Sequence, residues 1–380
     1  MRIGFDAKRA THNFRGLGNY SRGLIEGLLK YYPSEELLLY SPPVQNIRGS
    51  EWLNSLPKKA IIKTPHTFLE SKMPSLWRSF SIAPDLKKDN LDIFHGLSHE
   101  IPYGLKGKLP FKKIVTMHDL IYLRYPQFFP LLDRVVYNQK FKYAAKNSDL
   151  VIAICEQTKL DLIELLGVNE QKIKVHYQSC SPIFYQLFES SALDKVKMKY
   201  NLKKPFILNV GAFEERKNQL TLLLAYAQIE ALVEEDLVFV GQGKKYKEQV
   251  ISKAKDLNLS HRVHFLDSVP FQDLPAIYQS SKLFCFPSLF EGFGIPIVEA
   301  LFSKIPVITS KGSCFPESAG ADSIFIDPLS ESSIANAIRN VLSSEELQKS
   351  MITNGFLYSQ RFHLQESTKQ LLDIYHQVLS

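Results

Sequence analysis

Apolar residues along this chain recur with two different spacings. Short runs rich in β-branched and aromatic residues alternate with longer stretches in which apolar positions return every three or four residues, the signatures of strand and amphipathic helix. In the first half the runs predict strands at Arg2–Asp6, Leu37–Tyr40, Ile61–Lys63, Ile93–His95, Lys113–Met117, Leu150–Ile154 and Lys172–His176. Helices are expected between some of them, most clearly Gly18–Tyr31, Leu132–Lys146 and Glu156–Leu166. A less regular stretch, Ser179 to Pro205, ends in Lys203-Lys204-Pro205 and reads as containing a linker. The alternation then restarts, with strands expected at Phe206–Val210, Leu237–Val240, Val263–Leu266, Leu283–Pro287, Val307–Thr309 and Ile324–Ile326. Helices are expected at 219–230, 244–257, 271–280, 296–303 and 331–343. Many of these strands are apolar on both faces, as parallel strands between two helical layers should be. The fold class is therefore α/β, with two Rossmann-like domains facing across a cleft, residues 1–180 and 181–362. Open sheets of this kind bind ligands outside the carboxyl ends of their strands.

Composition adds little beyond an ordinary globular protein, at 45% hydrophobic and 22% charged residues over 380 positions. The start, Met1 to Asp6, is charged at once and then strand-like, so no secretory leader is expected. The most apolar long stretch, Leu220 to Val233, is broken by Gln228 and Glu230 and is too short to span a bilayer. Cys155, Cys180, Cys285 and Cys314 form no C-x-x-C pair, which predicts free thiols in a reducing cytoplasm. Charge is more informative. Residues 1–180 hold 26 Lys+Arg against 17 Asp+Glu, and the remaining 200 hold 20 against 22. A basic front half suggests attraction to an anionic acceptor or membrane surface; scattered solvated charge is the plainer alternative.

The strongest local pattern is Phe286-Pro287-Ser288-Leu289-Phe290-Glu291-Gly292-Phe293-Gly294-Ile295-Pro296-Ile297-Val298-Glu299-Ala300. A strand ends, a glycine-bearing loop follows, and a helix opens with Pro296 in its first turn. Amide groups at such a helix start favour an anion, and a diphosphate is a natural occupant. Carboxylates cannot bind that anion, but they can accept from the hydroxyls on either side of it. Glu291 would then face a donor sugar and Glu299 a ribose diol. A second pattern, Asn209-Val210-Gly211-Ala212-Phe213-Glu214-Glu215-Arg216-Lys217-Asn218, joins a strand to a cationic loop, with Asn218 placed to cap the following helix. Arg216 and Lys217 together could neutralise a departing diphosphate.

Glu291 and Glu299, with their flanks Phe286-Pro287-Ser288 and Ile305-Pro306-Val307-Ile308-Thr309-Ser310, resemble the E-x7-E motif of retaining glycosyltransferase family 4, whose fold is GT-B. Pro316-Glu317 and Asp327-Pro328 resemble segments that close the family's C-terminal lobe, and the mannosyltransferase-like subgroup is the nearest in flavour. The resemblance implies a hexosyltransferase that takes a nucleotide-diphosphate sugar, GDP-mannose-like in preference to a UDP-sugar. Its acceptor would be a glycan or a lipid-linked glycan in cell-surface polysaccharide synthesis. Where many members carry an arginine after Gly211, this chain has Ala212, and Arg216 stands beside the retained Lys217. The resemblance makes Gly16 and Gly18, in Arg15-Gly16-Leu17-Gly18-Asn19-Tyr20, a glycine loop near the donor phosphate. It assigns His118 to the face of the donor sugar, and Gly211, Gly292, Phe293, Gly294 and Ile295 to donor binding. Val269, before Pro270, is assigned a backbone contact to the base. The last helix, within 363–380, resembles the segment that returns to the N-terminal domain. His95 and His99 follow another strand and could shape the acceptor side.

No D-x-D occurs in the sequence, so no metal and no other cofactor are expected in the chemical step. Double displacement would need a carboxylate nucleophile beneath the anomeric carbon, and only Asp119 stands near His118. Front-face attack, with Arg216 and Lys217 stabilising the leaving group, is therefore favoured. The rival readings are a GT-B-like sugar-nucleotide epimerase and a nucleotide-sugar-binding scaffold without turnover. No nucleic-acid partner is expected, and the expected location is cytoplasmic, peripheral at the inner face of the plasma membrane.

Overall fold

The computed structural model describes residues 1–65, 67, 72, 73 and 76–380. The chain forms two compact units, Met1–Ser179 together with His363–Ser380, and Cys180–Phe362. Among the described residues the first unit holds seven strands: β1 Arg2–Asp6, β2 Glu36–Tyr40, β3 Ala60–Lys63, β4 Ile93–Gly96, β5 Lys112–Met117, β6 Leu150–Ala153 and β7 Ile173–Val175. They pair in the order β3-β2-β1-β4-β5-β6-β7, parallel throughout. The second unit holds β8 Phe206–Val210, β9 Asp236–Val240, β10 Val263–Leu266, β11 Leu283–Phe286, β12 Val307–Ser310 and β13 Ile324–Ile326. Their order is β10-β9-β8-β11-β12-β13, again all parallel.

Parallel neighbours require crossovers, and here the crossovers carry helices that cover the sheets. Every residue of β4, β6, β9, β11 and β12 is consequently buried. In each sheet the chain winds outward on one side and then restarts beside the first strand. The reversal falls between β1 and β4 in the first unit and between β8 and β11 in the second. Loops leaving the carboxyl ends of those strand pairs diverge, and the gap they leave is where such sheets bind ligands.

The terminal helix Leu364–Leu379 belongs to the first unit, where Leu371, Leu372, Ile374 and Tyr375 join the core of Ile3, Phe5, Ile25 and Leu28. It lies close against helix Gly16–Tyr31 at Gly27, where a Cβ would stand 2.2 Å from Thr368 Oγ1.

The stretch read as irregular, Ser179 to Pro205, contains helix Ser190–Lys199. None of its residues is fully buried, and its apolar side, half-buried Ala192, Leu193 and Val196, spans little more than one turn, so its periodic signal is weak. Polar contacts hold its end instead: Lys199 and the hydroxyl of Tyr200 both reach Asp273, at 2.5 and 2.6 Å. Helix Glu345–Ser359, likewise unexpected, buries only Met351, Gly355 and Ser359. The apolar stretch after Leu220 is helix Gln219–Ala227 followed by a single turn at Glu230–Leu232. Among the described residues no helix is long and apolar enough to cross a membrane. All four cysteines are buried thiols.

Candidate active site

The two strands at the reversal of the second sheet carry both motifs singled out in the sequence. After β8 the chain passes through Gly211 into a short turn at Glu215–Lys217, and after β11 it enters the loop that bears Glu291. Because β8 and β11 are hydrogen-bonded neighbours, segments more than 70 positions apart meet, and the Arg216 guanidinium donates to the Phe290 carbonyl. Leu289 N–H and Ser288 Oγ both donate back to the carbonyl of Arg216, at 2.8 and 3.1 Å. The cationic turn and the acidic loop are thus clamped together through backbone.

Glu291 is buried and bridges both cations. Lys217 Nζ lies 2.5 Å from its Oε1, Arg216 Nη1 lies 2.9 Å from its Oε2, and Ser288 Oγ donates to Oε1 at 2.6 Å. Burial alone would raise this carboxyl, but the charges of Lys217 and Arg216 and the hydrogen bonds from Lys217 and Ser288 outweigh it and bring the pKa to about 2. Lys217 also stands over the face of Phe286, 5.2 Å from the ring centroid. The sequence suggested separate tasks for Glu291 and the two cations; in the structure they form one charged group. Ser288 was missed, although a serine three positions before a glutamate in a loop could have marked it.

Asn218 was expected to cap helix Gln219–Ala227, and it does not. It occupies the capping position with φ +61°, but its side chain accepts from no backbone N–H there. Its amide instead donates to the carbonyls of Pro287 and Pro328, at 3.0 and 2.7 Å, tying the β8, β11 and β13 loops together. Its Oδ1 is taken by Thr221 Oγ1 at 2.6 Å.

Beyond Glu291, Gly294 adopts φ +90°, a conformation that favours glycine, and starts helix Ile295–Phe302 with Pro296 in its first turn. Phe293 is buried edge-on to Phe362, while Gly292 and Ile295 are half-buried. Glu299, one turn and a half into the helix, is buried and accepts from Tyr278 Oη at 3.0 Å. Burial raises this carboxyl to about 7, only partly offset by the tyrosine hydroxyl. Two glutamates eight positions apart therefore shift in opposite directions, one held ionised by cations and one with its pKa raised by burial. Gly211 packs beside Lys217 and Phe286, and its carbonyl lies so close to Gly241 that a Cβ there would approach to 1.8 Å. Val269 is half-buried, directly after Ser268 with φ +54°.

In the first unit His118 follows β5. Its Nε2 donates to the carbonyl of Leu97 at 2.8 Å, which leaves Nδ1 to accept from Gln178 Nε2 at 3.1 Å. Burial, with a smaller effect of neighbouring His99, lowers its pKa to about 3. The ring is a neutral, fully partnered group set edge-on to Tyr20 at 4.7 Å. His95 is a core residue, its nitrogens engaged by Tyr375 and Thr116 at 2.7 and 2.8 Å, and His99 stacks on Phe141. Asp119 accepts from Ile121 N–H at 3.1 Å and so holds a turn.

The expected glycine loop is in fact the first turn of a helix, Gly16–Tyr31. Gly18 is indispensable to it, since a Cβ would stand 1.6 Å from the Asn13 carbonyl oxygen, whereas nothing lies within 4 Å at Gly16. Sequence reading also missed an ionic group at the reversal of the first sheet. Arg78 bridges Asp6, at the end of β1, and Glu100, and Lys140 adds a contact to Glu100 at 3.2 Å. Lys8 and Arg9 lie near enough for Arg78 and burial to lower both of their pKa values, burial being the larger cause. No motif links these positions, and only the sheet order assembles them.

The family model "Glycosyl transferases group 1" matches residues 191–357, and "Glycosyltransferase Family 4" matches residues 40–179. O-antigen chain mannosyltransferase B of Escherichia coli is 26% identical over 388 residues, covering 99% of this chain and 99% of that protein. Serotype-specific mannosyltransferase WbdA of Escherichia coli is 27% identical over 296 residues, and the match spans 74% of this chain but 35% of WbdA, about a third of that relative's length. Among solved structures, Anabaena Alr3699/HepE in complex with UDP and glucose superposes with a TM-score of 0.77 at 18% identity, covering 99% of this chain and 100% of that one. At that identity the likeness is one of fold, and the fold is GT-B.

Proposed function

Since the chain belongs to the glycosyltransferases, a Family 4 segment preceding a group 1 segment, we propose that it moves a hexose from a nucleotide-diphosphate sugar to a glycan or lipid-linked acceptor with retention at the anomeric carbon. The observation that carries this reading is the group of buried Glu291 with half-buried Arg216 and Lys217 at the reversal of the second sheet, with Glu299 on the helix behind it. A GDP-mannose-like donor and a place in cell-surface polysaccharide synthesis are supported by the name of the full-length relative, an O-antigen chain mannosyltransferase. The UDP held by the structural neighbour keeps a UDP-sugar in the comparison.

In this mechanism Arg216 and Lys217 neutralise the departing diphosphate, a preorganised electrostatic contribution that needs no metal ion. Glu291 keeps the two cations in place and accepts from sugar hydroxyls, while Glu299 accepts from the ribose diol. Backbone of Gly16, Gly18, Gly211, Gly292, Phe293, Gly294 and Ile295 approaches the donor, and that of Val269 the base. The bond from the anomeric carbon to the phosphate oxygen breaks as the acceptor oxygen bonds on the same face. The acceptor proton passes to the leaving phosphate. Asp119, already holding a turn, is not needed as a nucleophile. His118, neutral and partnered at both nitrogens, supports the reacting face without exchanging protons. The basic first unit is assigned to the acceptor, at the inner face of the plasma membrane.

A thermal-shift screen against UDP, GDP, ADP and their sugars tests the donor, since a ligand at 100 times its Kd stabilises by about 2.7 kcal/mol. A shift with GDP and slow hydrolysis of GDP-mannose is expected. Nucleotide binding without any donor turnover would favour a scaffold, and no shift with any nucleotide would remove the reading.

A further inference from the structure

The helix Leu131–Asn147 of the first unit leaves a large apolar face uncovered. Leu131 and Leu132 are 68% and 80% exposed, and Val135 and Val136 are 48% and 45% exposed. Spacing of three and four residues puts these four side chains on one side of the first two turns. The helix is anchored from the opposite side, where Phe141, Ala144 and Ala145 enter the core with Val115, Val151 and Leu162. The outward orientation is therefore fixed by packing. Beside the apolar turns is an open recess of about 250 Å³ lined by Leu123, Leu131, Arg134, Val135, Asn138 and Gln139.

Two further features say what covers this face. Along the same side, the helix continues into Lys142 and Lys146, both exposed, with Asp133 the one exposed acid on the helix. The unit that carries it holds 27 Lys+Arg against 19 Asp+Glu, whereas the other unit holds 19 against 20. Aliphatic side chains on the outer turns and lysines farther along the same side match the depth profile of a bilayer surface. A protein partner would not need the charge excess of the whole unit.

We propose that the face of Leu131, Leu132, Val135 and Val136, with Lys142 and Lys146, is the surface by which this chain docks on an anionic lipid bilayer. The inference deepens the assignment of the first unit to a membrane-side acceptor and rests on it. The aliphatic residues enter the boundary between headgroups and acyl chains, and the lysines face lipid phosphates. The helix lies on the membrane and does not cross it.

The test is flotation of the full chain with vesicles of phosphatidylglycerol in phosphatidylcholine, at low and high salt. The comparison is with a Leu131→Ser/Leu132→Ser variant and a Lys142→Glu/Lys146→Glu variant. Both pairs are exposed, and circular dichroism with nucleotide binding checks that the fold is retained. The leucine pair should lower vesicle partitioning roughly a hundredfold at either salt concentration, from the apolar area it withdraws. The lysine pair should lower it mainly at low salt, where attraction to anionic lipid is least screened. Binding that high salt abolishes but the leucine variant leaves unchanged would overturn the helix while sparing a diffuse basic surface. Absence of vesicle binding at low salt would overturn both. A parent that forms dimers dissolved by the leucine variant, without binding vesicles, would assign the face to a second copy and refute the proposal.

Discussion

Replacing Glu299 by Gln should make the protein more stable at neutral and alkaline pH while weakening its hold on nucleotide. The carboxyl is buried, receives one hydrogen bond, from Tyr278, and has its pKa raised from 4.5 to about 7 by burial. The folded chain thus binds a proton more tightly there than the unfolded chain does. The resulting contribution to stability is fully present below pH 4.5 and is lost as pH rises through about 7. At about 1.36 kcal/mol for each unit of pKa, the loss across that window is roughly 3 kcal/mol. Glutamine has nearly the same shape, cannot ionise, and still offers an oxygen to the Tyr278 hydroxyl. Urea unfolding of parent and variant from pH 4 to pH 8 should give curves that coincide at the acid end and separate by up to roughly 3 kcal/mol above pH 7. Calorimetry at pH 8 should show nucleotide binding weakened by about 1.5–3 kcal/mol, the worth of a hydrogen bond to a charged group. Stability curves that run parallel from pH 4 to pH 8 would refute the electrostatic reasoning. Unchanged nucleotide affinity would refute the ribose assignment.

Other outcomes follow from the same geometry. Lys217→Ala and Arg216→Ala should each lower turnover roughly ten- to a thousandfold, and parent activity should survive a chelator; activity lost to chelator and restored by magnesium or manganese would overturn metal independence. Glu291→Gln should destabilise by about 3 kcal/mol at pH 7 because two half-buried cations lose their buried counter-charge. The parent's advantage should shrink as pH falls below 4.5 toward the pKa of about 2 that the cations impose, measured as the gap between the two unfolding curves. Gly18→Ala should cost about 3 kcal/mol or more through its clash with Asn13, while Gly16→Ala should leave the melting temperature nearly unchanged, so that donor affinity of the latter variant reports directly on the first-turn amides.

Strand positions and the Glu291–Glu299 motif could be read from the sequence because each depends on neighbours within about one turn or one strand of chain. Runs such as Phe206–Val210 are apolar at nearly every position since both faces of a parallel strand are covered, and that pattern survives in any single sequence. Helix Ser190–Lys199 was missed for the converse reason: its half-buried apolar side, Ala192, Leu193 and Val196, spans little more than one turn and leaves a weak periodic trace. The role of Asn218 was misread because capping is a local habit of asparagine, whereas its real partners, Pro287 and Pro328, lie 69 and 110 positions away.

The sequence by itself determined that this chain is an α/β protein with two sheets, and which loops bear a glutamate pair and an arginine–lysine pair. It also implied a family through those loops. Tertiary structure alone decided that Glu291 lies between Arg216 and Lys217, that burial raises the Glu299 carboxyl to a pKa of about 7, and that His118 has no nitrogen to spare. The physical reason is that charge state depends on burial and on neighbours brought together by strand order. β8 and β11 touch because the chain returns to its first strand after two crossovers, and no local pattern encodes that distance.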